Sequence, residues 1–171
     1  MGSSNAALLA AAGLVAPAGV AVQTYDALAD LPAFNPDLEE GPGPVPNAVA
    51  HWRAALATAD AVLISSPEYA HGIPGVLKNA LDWVVGSGEL VGKRVGLLSA
   101  SAASRFAHPQ LVEATAAATL VSEATVVLDV PRRGATAPQL VADPVLATRL
   151  AAAVASLVGV PARPGGLEAR A

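Results

Sequence analysis

Short uncharged apolar runs alternate with stretches of helical period along most of the chain, and Pro- or Gly-rich breaks separate them. The sharpest unit is residues 61–85, AVLISSPEYAHGIPGVLKNALDWVV. Ala61 to Ile64 is apolar on both faces, the mark of a buried parallel strand. The run breaks at Ser65, Ser66 and Pro67 and passes through a loop carrying Glu68, Tyr69, His71 and Gly72. A helix enters at Pro74, whose missing N–H suits the first helical turn.

The remaining pattern predicts more of the same unit. Met1 to Ala16 reads as a helix with Leu8, Leu9 and Ala12 at helical spacing, behind the natural N-cap residues Ser3, Ser4 and Asn5. Gly19 to Tyr25 alternates loosely as a strand. Leu28 to Glu39 reads as a Pro- and Asx-rich loop, and residues 41–46, GPGPVP, as a stiff turn. Asn47 to Ala59 predicts a helix with Val49, Trp52, Ala55 and Leu56 at core spacing. Lys93 to Ser99 predicts a strand, Gln110 to Leu120 a helix, and Glu123 to Val130 a further strand. A turn is expected at Arg132, Arg133 and Gly134. Asp143 caps a last helix behind Pro144, running to about Val158. Residues 159–171, rich in Pro, Gly and Arg, read as a disordered tail behind a single domain at 1–158. Five helices alternating with strands are the α/β pattern, in which ligands lie beyond the carboxyl ends of the strands.

Composition narrows the chemistry. With 171 residues the chain suits one domain. Lys and Arg total 10 against 14 Asp and Glu, without a basic run. Phosphate contacts need clustered cations, so nucleic acid is not expected as a partner. Cysteine is absent, which excludes disulfides, thiolate nucleophiles and Cys-ligated metals. Residues 6–22 are mostly Ala, Leu and Val, but no positive charge precedes them and Gly13, Pro17 and Gly19 interrupt them. They read as helix, turn and strand rather than secretory signal or membrane span. A cytoplasmic protein is expected.

The string S-P-E-Y-x-x-x-x-P-G-x-L-K-N-A-x-D-W, here Ser66 to Trp83, resembles the signature loop and helix of the NADPH-dependent FMN reductases. These are a flavodoxin-like group that includes quinone, azo-dye and chromate reductases. The resemblance implies a three-layer, open parallel sheet with helices on both faces. The family's G-S-L-R-x-x-S-x-N-x-x-L-L matches here only at Ser3, Asn5, Leu8 and Leu9. The first strand, its Gly-Ser and its Arg are therefore expected to be missing or truncated. That strand is central in the order 2-1-3-4-5. Its loss predicts a gap, a sheet closed to four strands, or an N-terminal segment in its place.

The resemblance also implies a cofactor, FMN, with NADPH or NADH as co-substrate. The chemistry would be two-electron transfer to a quinone-like acceptor, another small acceptor or free flavin. It implies that Ser3, Ser4 and Asn5 hold the phosphate, where a helix N-terminus already favours anions. It implies that Pro67, Glu68, Tyr69, Ala70, His71 and Gly72 meet the isoalloxazine, Ala70 standing where the family has Asn. The loop from Ala100 to His108 brings Ser99 and Ser101 to the same end of the sheet, with Ala102, Ala103 and Ser104 where the family has glycines. Arg105 is the one basic side chain there to attract nicotinamide-nucleotide phosphates. His71 reads as a solvated loop histidine before any proton role. The absence of thiol, zinc-ligand and nucleophile-elbow motifs suits a reaction that the cofactor carries. Trp83 is a candidate interface residue in a homodimer or homotetramer, with core packing as the equal alternative. The reading from another class is a flavodoxin-like scaffold that has lost its flavin with the first strand.

Overall fold

A computed structural model describes residues 2–130 and 134–159. Among these, seven α-helices and four strands form a parallel sheet covered on both faces. Strand β1 (Ala61–Ser65) pairs with β2 (Arg94–Ser99) over its whole length. The opposite edge of β2 is shared by two short strands, β3 (Thr119–Leu120) beside Arg94 and Val95, and β4 (Val126–Val127) beside Leu98 and Ser99.

Side chains alternate across this sheet as period-2 geometry requires. Val62, Ile64, Val95 and Leu97 face helices α3 (Asn47–Thr58), α4 (Gly75–Asp82) and α5 (Ala107–Ala114), which contribute Val49, Trp52, Leu56, Leu77, Ala80, Leu81 and Leu111. Leu63 and Leu98 face α1 (Ser4–Leu14), α6 (Ala137–Val141) and α7 (Pro144–Val158), which bring Leu8, Ala11, Ala12, Leu140, Leu146, Leu150 and Val154. The short α2 (Pro36–Glu40) is capped by the Asn35 side chain.

Several expectations are corrected. Gly19 to Tyr25 is not a strand. None of the described backbone hydrogen bonds joins Ala21 to Tyr25 to the sheet; an extended chain without a neighbouring strand has no ladder to make. Val20 and Tyr25 pack against the core instead, with Tyr25 tilted against Trp52 at a ring separation of 4.8 Å. The sheet neither closes over β1 nor gains a strand there. Helix α1 packs against β1, and β1 remains an edge with all five residues half-buried.

The helix expected at 110–120 lies at Ala107–Ala114 and ends where the Thr115 hydroxyl bonds back to the Leu111 carbonyl at 2.7 Å. Thr119 and Leu120, read as helix, are strand. The strand expected at 123–130 shrinks to Val126–Val127, because a 3₁₀ turn at Ser122–Ala124 interrupts pairing. That turn seats Ala124 against Gly96, where a Cβ would stand 2.8 Å from the Ala124 Cβ. Only glycine fits that close approach. Pro74 is the N-cap of α4 rather than its first residue. The Leu28–Glu39 loop contains a 3₁₀ turn at Ala27–Asp30 and α2. Helix α6 was not foreseen. The turn expected at Arg132 and Arg133 and the tail from 160 onward lie outside the described residues.

Trp83 packs in the core, fully buried, with Phe34 edge-on at 5.0 Å and its indole N–H donating to the Pro32 carbonyl at 2.8 Å. It presents nothing to a partner subunit, so packing is its role. The signature helix is also pinned by Asn79, which accepts from the Phe34 N–H at 2.7 Å and donates to the Pro32 carbonyl at 2.9 Å. Arg53 on α3 donates to the Trp83 carbonyl and pairs with Glu39.

Candidate functional site

All parallel strands direct their carboxyl ends to one edge of the molecule, and the loops there form a connected rim. The first contact of that rim joins α1 to β1. The Ser65 hydroxyl donates to the Asn5 Oδ1 at 2.8 Å, which holds the helix N-terminus beside the last residue of the strand. Ser3 caps this helix by accepting from the Ala6 N–H at 3.3 Å. The first turn holds no acidic residue, so the unpaired leading amides and the helix dipole are not neutralised.

The next segment is the loop after β1. Buried Ser66 turns its hydroxyl onto the Pro67 carbonyl at 2.9 Å. Tyr69 and Gly72 exchange two backbone hydrogen bonds, each 3.0 Å, around Ala70 and His71. Both central residues have positive φ, 48° and 59°. This is the geometry of a type I′ turn, which normally selects Asn-Gly. The N–H groups of Glu68, Ala70 and His71 have no protein acceptor among the described residues. Tyr69 is 66% exposed.

Glu68 points away from this turn. Its Oε2 accepts from the N–H groups of Phe106 at 2.6 Å and Ala107 at 2.9 Å, and from the Ser104 hydroxyl at 3.3 Å. The backbone donors of Ala107 and Phe106 hold its carboxyl below the usual range, helped by Ser104 and the nearby His71. Gln110, which sequence reasoning missed, reaches the same loop. Its Oε1 accepts from the Ile73 N–H at 3.1 Å and its Nε2 donates to the His71 carbonyl at 3.3 Å. The His71 and Phe106 rings lie 4.7 Å apart.

The loop after β2 completes the rim. Ser99 is buried and its hydroxyl is spent on the Ser101 carbonyl at 2.8 Å. Ser101 and Arg105 are exposed. The Ala102 N–H points to Asp129 at 3.4 Å and the Ala103 N–H to the Ser101 hydroxyl at 3.1 Å. Asp129 was likewise missed; a lone Asp after an apolar run carries no sequence signal of its own. A groove of about 720 Å³ lies just outside the rim, between the start of α4 and α5, lined by Ile73, Lys78, Pro109, Gln110 and Glu113.

The structure therefore brings together Ser3, Ser4 and Asn5 with Ser65, and Glu68 with the Ser101–Phe106 loop. It leaves the Ser99 hydroxyl buried, and the Glu68 carboxylate is engaged by the Phe106 and Ala107 amides. The donor set suits an anionic cofactor in this sense: a dipole end free of carboxylates, with a loop offering three amides without acceptors among the described residues. No lysine or arginine lies in the first turn of α1.

An open parallel sheet with this rim defines the flavodoxin-like class. The family model for NADPH-dependent FMN reductase matches residues 1–131, and the chain belongs to that family. It is 42% identical over 84 residues to a probable NADPH:quinone oxidoreductase of Oryza sativa subsp. japonica, covering 48% of this chain and 41% of that protein. It is 39% identical over 101 residues to an NAD(P)H-dependent FMN reductase of Pseudomonas aeruginosa, covering 58% and 52%. A quinone reductase of Escherichia coli is 35% identical over 83 residues, covering 48% and 44%. The matches thus span about half the length of these relatives. The fold resembles that of FerB, a flavoenzyme NAD(P)H:(acceptor) oxidoreductase from Paracoccus denitrificans, with a TM-score of 0.70 at 24% identity over 92% of this chain and 88% of that one.

Proposed function

We propose that the protein is an FMN-dependent NAD(P)H oxidoreductase that passes two electrons to a quinone-like or other small acceptor. The observation that carries this reading is the Asn5–Ser65 contact. It sets a carboxylate-free helix end beside a loop whose Glu68, Ala70 and His71 amides lack acceptors. Ser3, Ser4 and Asn5 would hold the flavin phosphate through backbone and hydroxyl donors. The Pro67–Gly72 loop would hold the ring, its amides stabilising the negative charge that reduction adds. When bound, FMN supplies electron transfer from a nicotinamide nucleotide to the acceptor, so the chain needs no nucleophile or metal of its own. Arg105, exposed on the β2–α5 loop, would attract the nucleotide's phosphates, and Ser99 shapes that loop through its bond to Ser101.

The same reading extends to a homodimer or homotetramer in the cytoplasm. Exposed Tyr69, Val76 and Phe106 around the groove support a partner subunit there. No described helix is long and apolar enough to cross a membrane.

The test is a visible spectrum of the purified chain after soaking in excess FMN and desalting, with NADH or NADPH oxidation followed with and without a quinone. Retained flavin and acceptor-dependent oxidation are expected. A folded protein that stays colourless and inert overturns the reading in favour of a flavin-free scaffold.

A further inference from the structure

The turn at Tyr69–Gly72 is built from the wrong residues for its shape. Ala70 and His71 both carry a Cβ, yet both occupy the left-handed region, where a side chain crowds the following carbonyl. Such a turn persists only where its surroundings over-determine it. Two side chains tie it to α5. Glu68, one residue before the turn, is bound to the first turn of α5 through Phe106, Ala107 and Ser104. Gln110, one helical turn further along, bonds to the backbone on both sides of Gly72, at His71 and Ile73. Gly72 lies so close that an added Cβ would stand 3.1 Å from the Gln110 Oε1. The His71 ring closes the third side against Phe106.

We propose that Glu68 and Gln110 form a two-point clasp that holds the strained Ala70–His71 turn on α5, making them positioning residues for the loop assigned to the flavin. Neither side chain needs to touch the cofactor. The clasp fixes the loop's aim, so that the amides of Ala70 and His71 point to one place before any ligand arrives. Its effect on flavin rests on the functional reading above; its effect on the turn does not.

The experiment compares clasp removal in two backgrounds, since a clasp matters only to a turn that would otherwise relax. Glu68→Ala with Gln110→Ala is made in the native chain and in a chain carrying Ala70→Asn and His71→Gly, residues that accept positive φ freely. Two readouts are taken: hydrogen exchange of the Tyr69 and Gly72 amides without ligand, and FMN affinity. In the native chain, exchange of both amides should accelerate about tenfold and FMN binding should weaken by about the same factor, equivalent to about 1.4 kcal/mol. In the relaxed background each change should fall below about threefold. Glu68→Gln, which keeps an acceptor oxygen, should retain slow exchange. Equal losses in both backgrounds, or no acceleration in the native one, overturn the clasp. Should the double variant not fold, Gln110→Ala alone is read by the same exchange in both backgrounds. A native chain that binds no FMN sinks the functional reading and leaves the exchange result to decide the clasp.

Discussion

Glu68 shows what the residue scale adds to a motif. The letters S-P-E-Y suggest a polar side chain offered to a ligand; the structure spends that carboxylate on three donors at α5. The consequence is a pH dependence. The backbone donors at Ala107 and Phe106 lower its pKa from 4.5, so the folded chain binds fewer protons there than the unfolded one. The contribution is therefore complete above about the ordinary carboxylate value and fades as pH falls through the depressed folded value. Thermal unfolding midpoints of the native protein and of Glu68→Gln should differ at pH 7 and converge as pH falls progressively below 4.5. A gap that stays constant over that range would show the ionised carboxylate adds nothing. The residues that sequence reasoning missed, Gln110 and Asp129, act through their place on α5 and after β4. No spacing along the chain announces a neighbour that only folding brings within 3.5 Å.

Elements were legible where pattern and partner agree. α1, α3, α4, α7, β1 and β2 lie close to their expected positions because each has both its own periodicity and a face to bury. Gly19–Tyr25 has the periodicity and no neighbouring strand. The 110–130 region has strands too short to register against an alanine-rich background, and a turn dictated by contact between Ala124 and Gly96. The signature helix carries a second lesson. Several of its letters are structural: Asn79 bridges the Phe34 N–H and the Pro32 carbonyl, and Trp83 reaches the same carbonyl. They fasten the Leu28–Glu39 segment to α4. Asn79→Ala strands a half-buried donor and acceptor, costing about 2 kcal/mol, or roughly 5 °C in the midpoint for a chain of this size. Denaturant unfolding would measure it. A loss under about 0.5 kcal/mol would mean water replaces both bonds.

At the scale of the whole molecule the unequal strands matter most. β2 is laddered on both edges, and its residues from Val95 to Ser99 are buried. β1 is laddered on one edge, and its five residues Ala-Val-Leu-Ile-Ser carry neither charge nor proline to blunt the other. In a parallel ladder, alternate residues turn their N–H and C=O groups toward opposite neighbours. About half the β1 amides therefore face an edge on which no described residue accepts from them. Those amides should exchange by small local openings, whereas β2 amides must await large-scale unfolding. With ordinary domain stability of 5–15 kcal/mol, the two sets should differ by roughly a thousandfold or more. Hydrogen exchange resolved by residue would show alternation along Ala61–Ser65 and uniform protection along Val95–Leu98. Uniform protection of β1 in dilute solution would instead mean that its outer edge is covered, by another copy or by a rearranged Ala21–Tyr25 segment. Dilution separates those two, because only the first covering is lost as concentration falls.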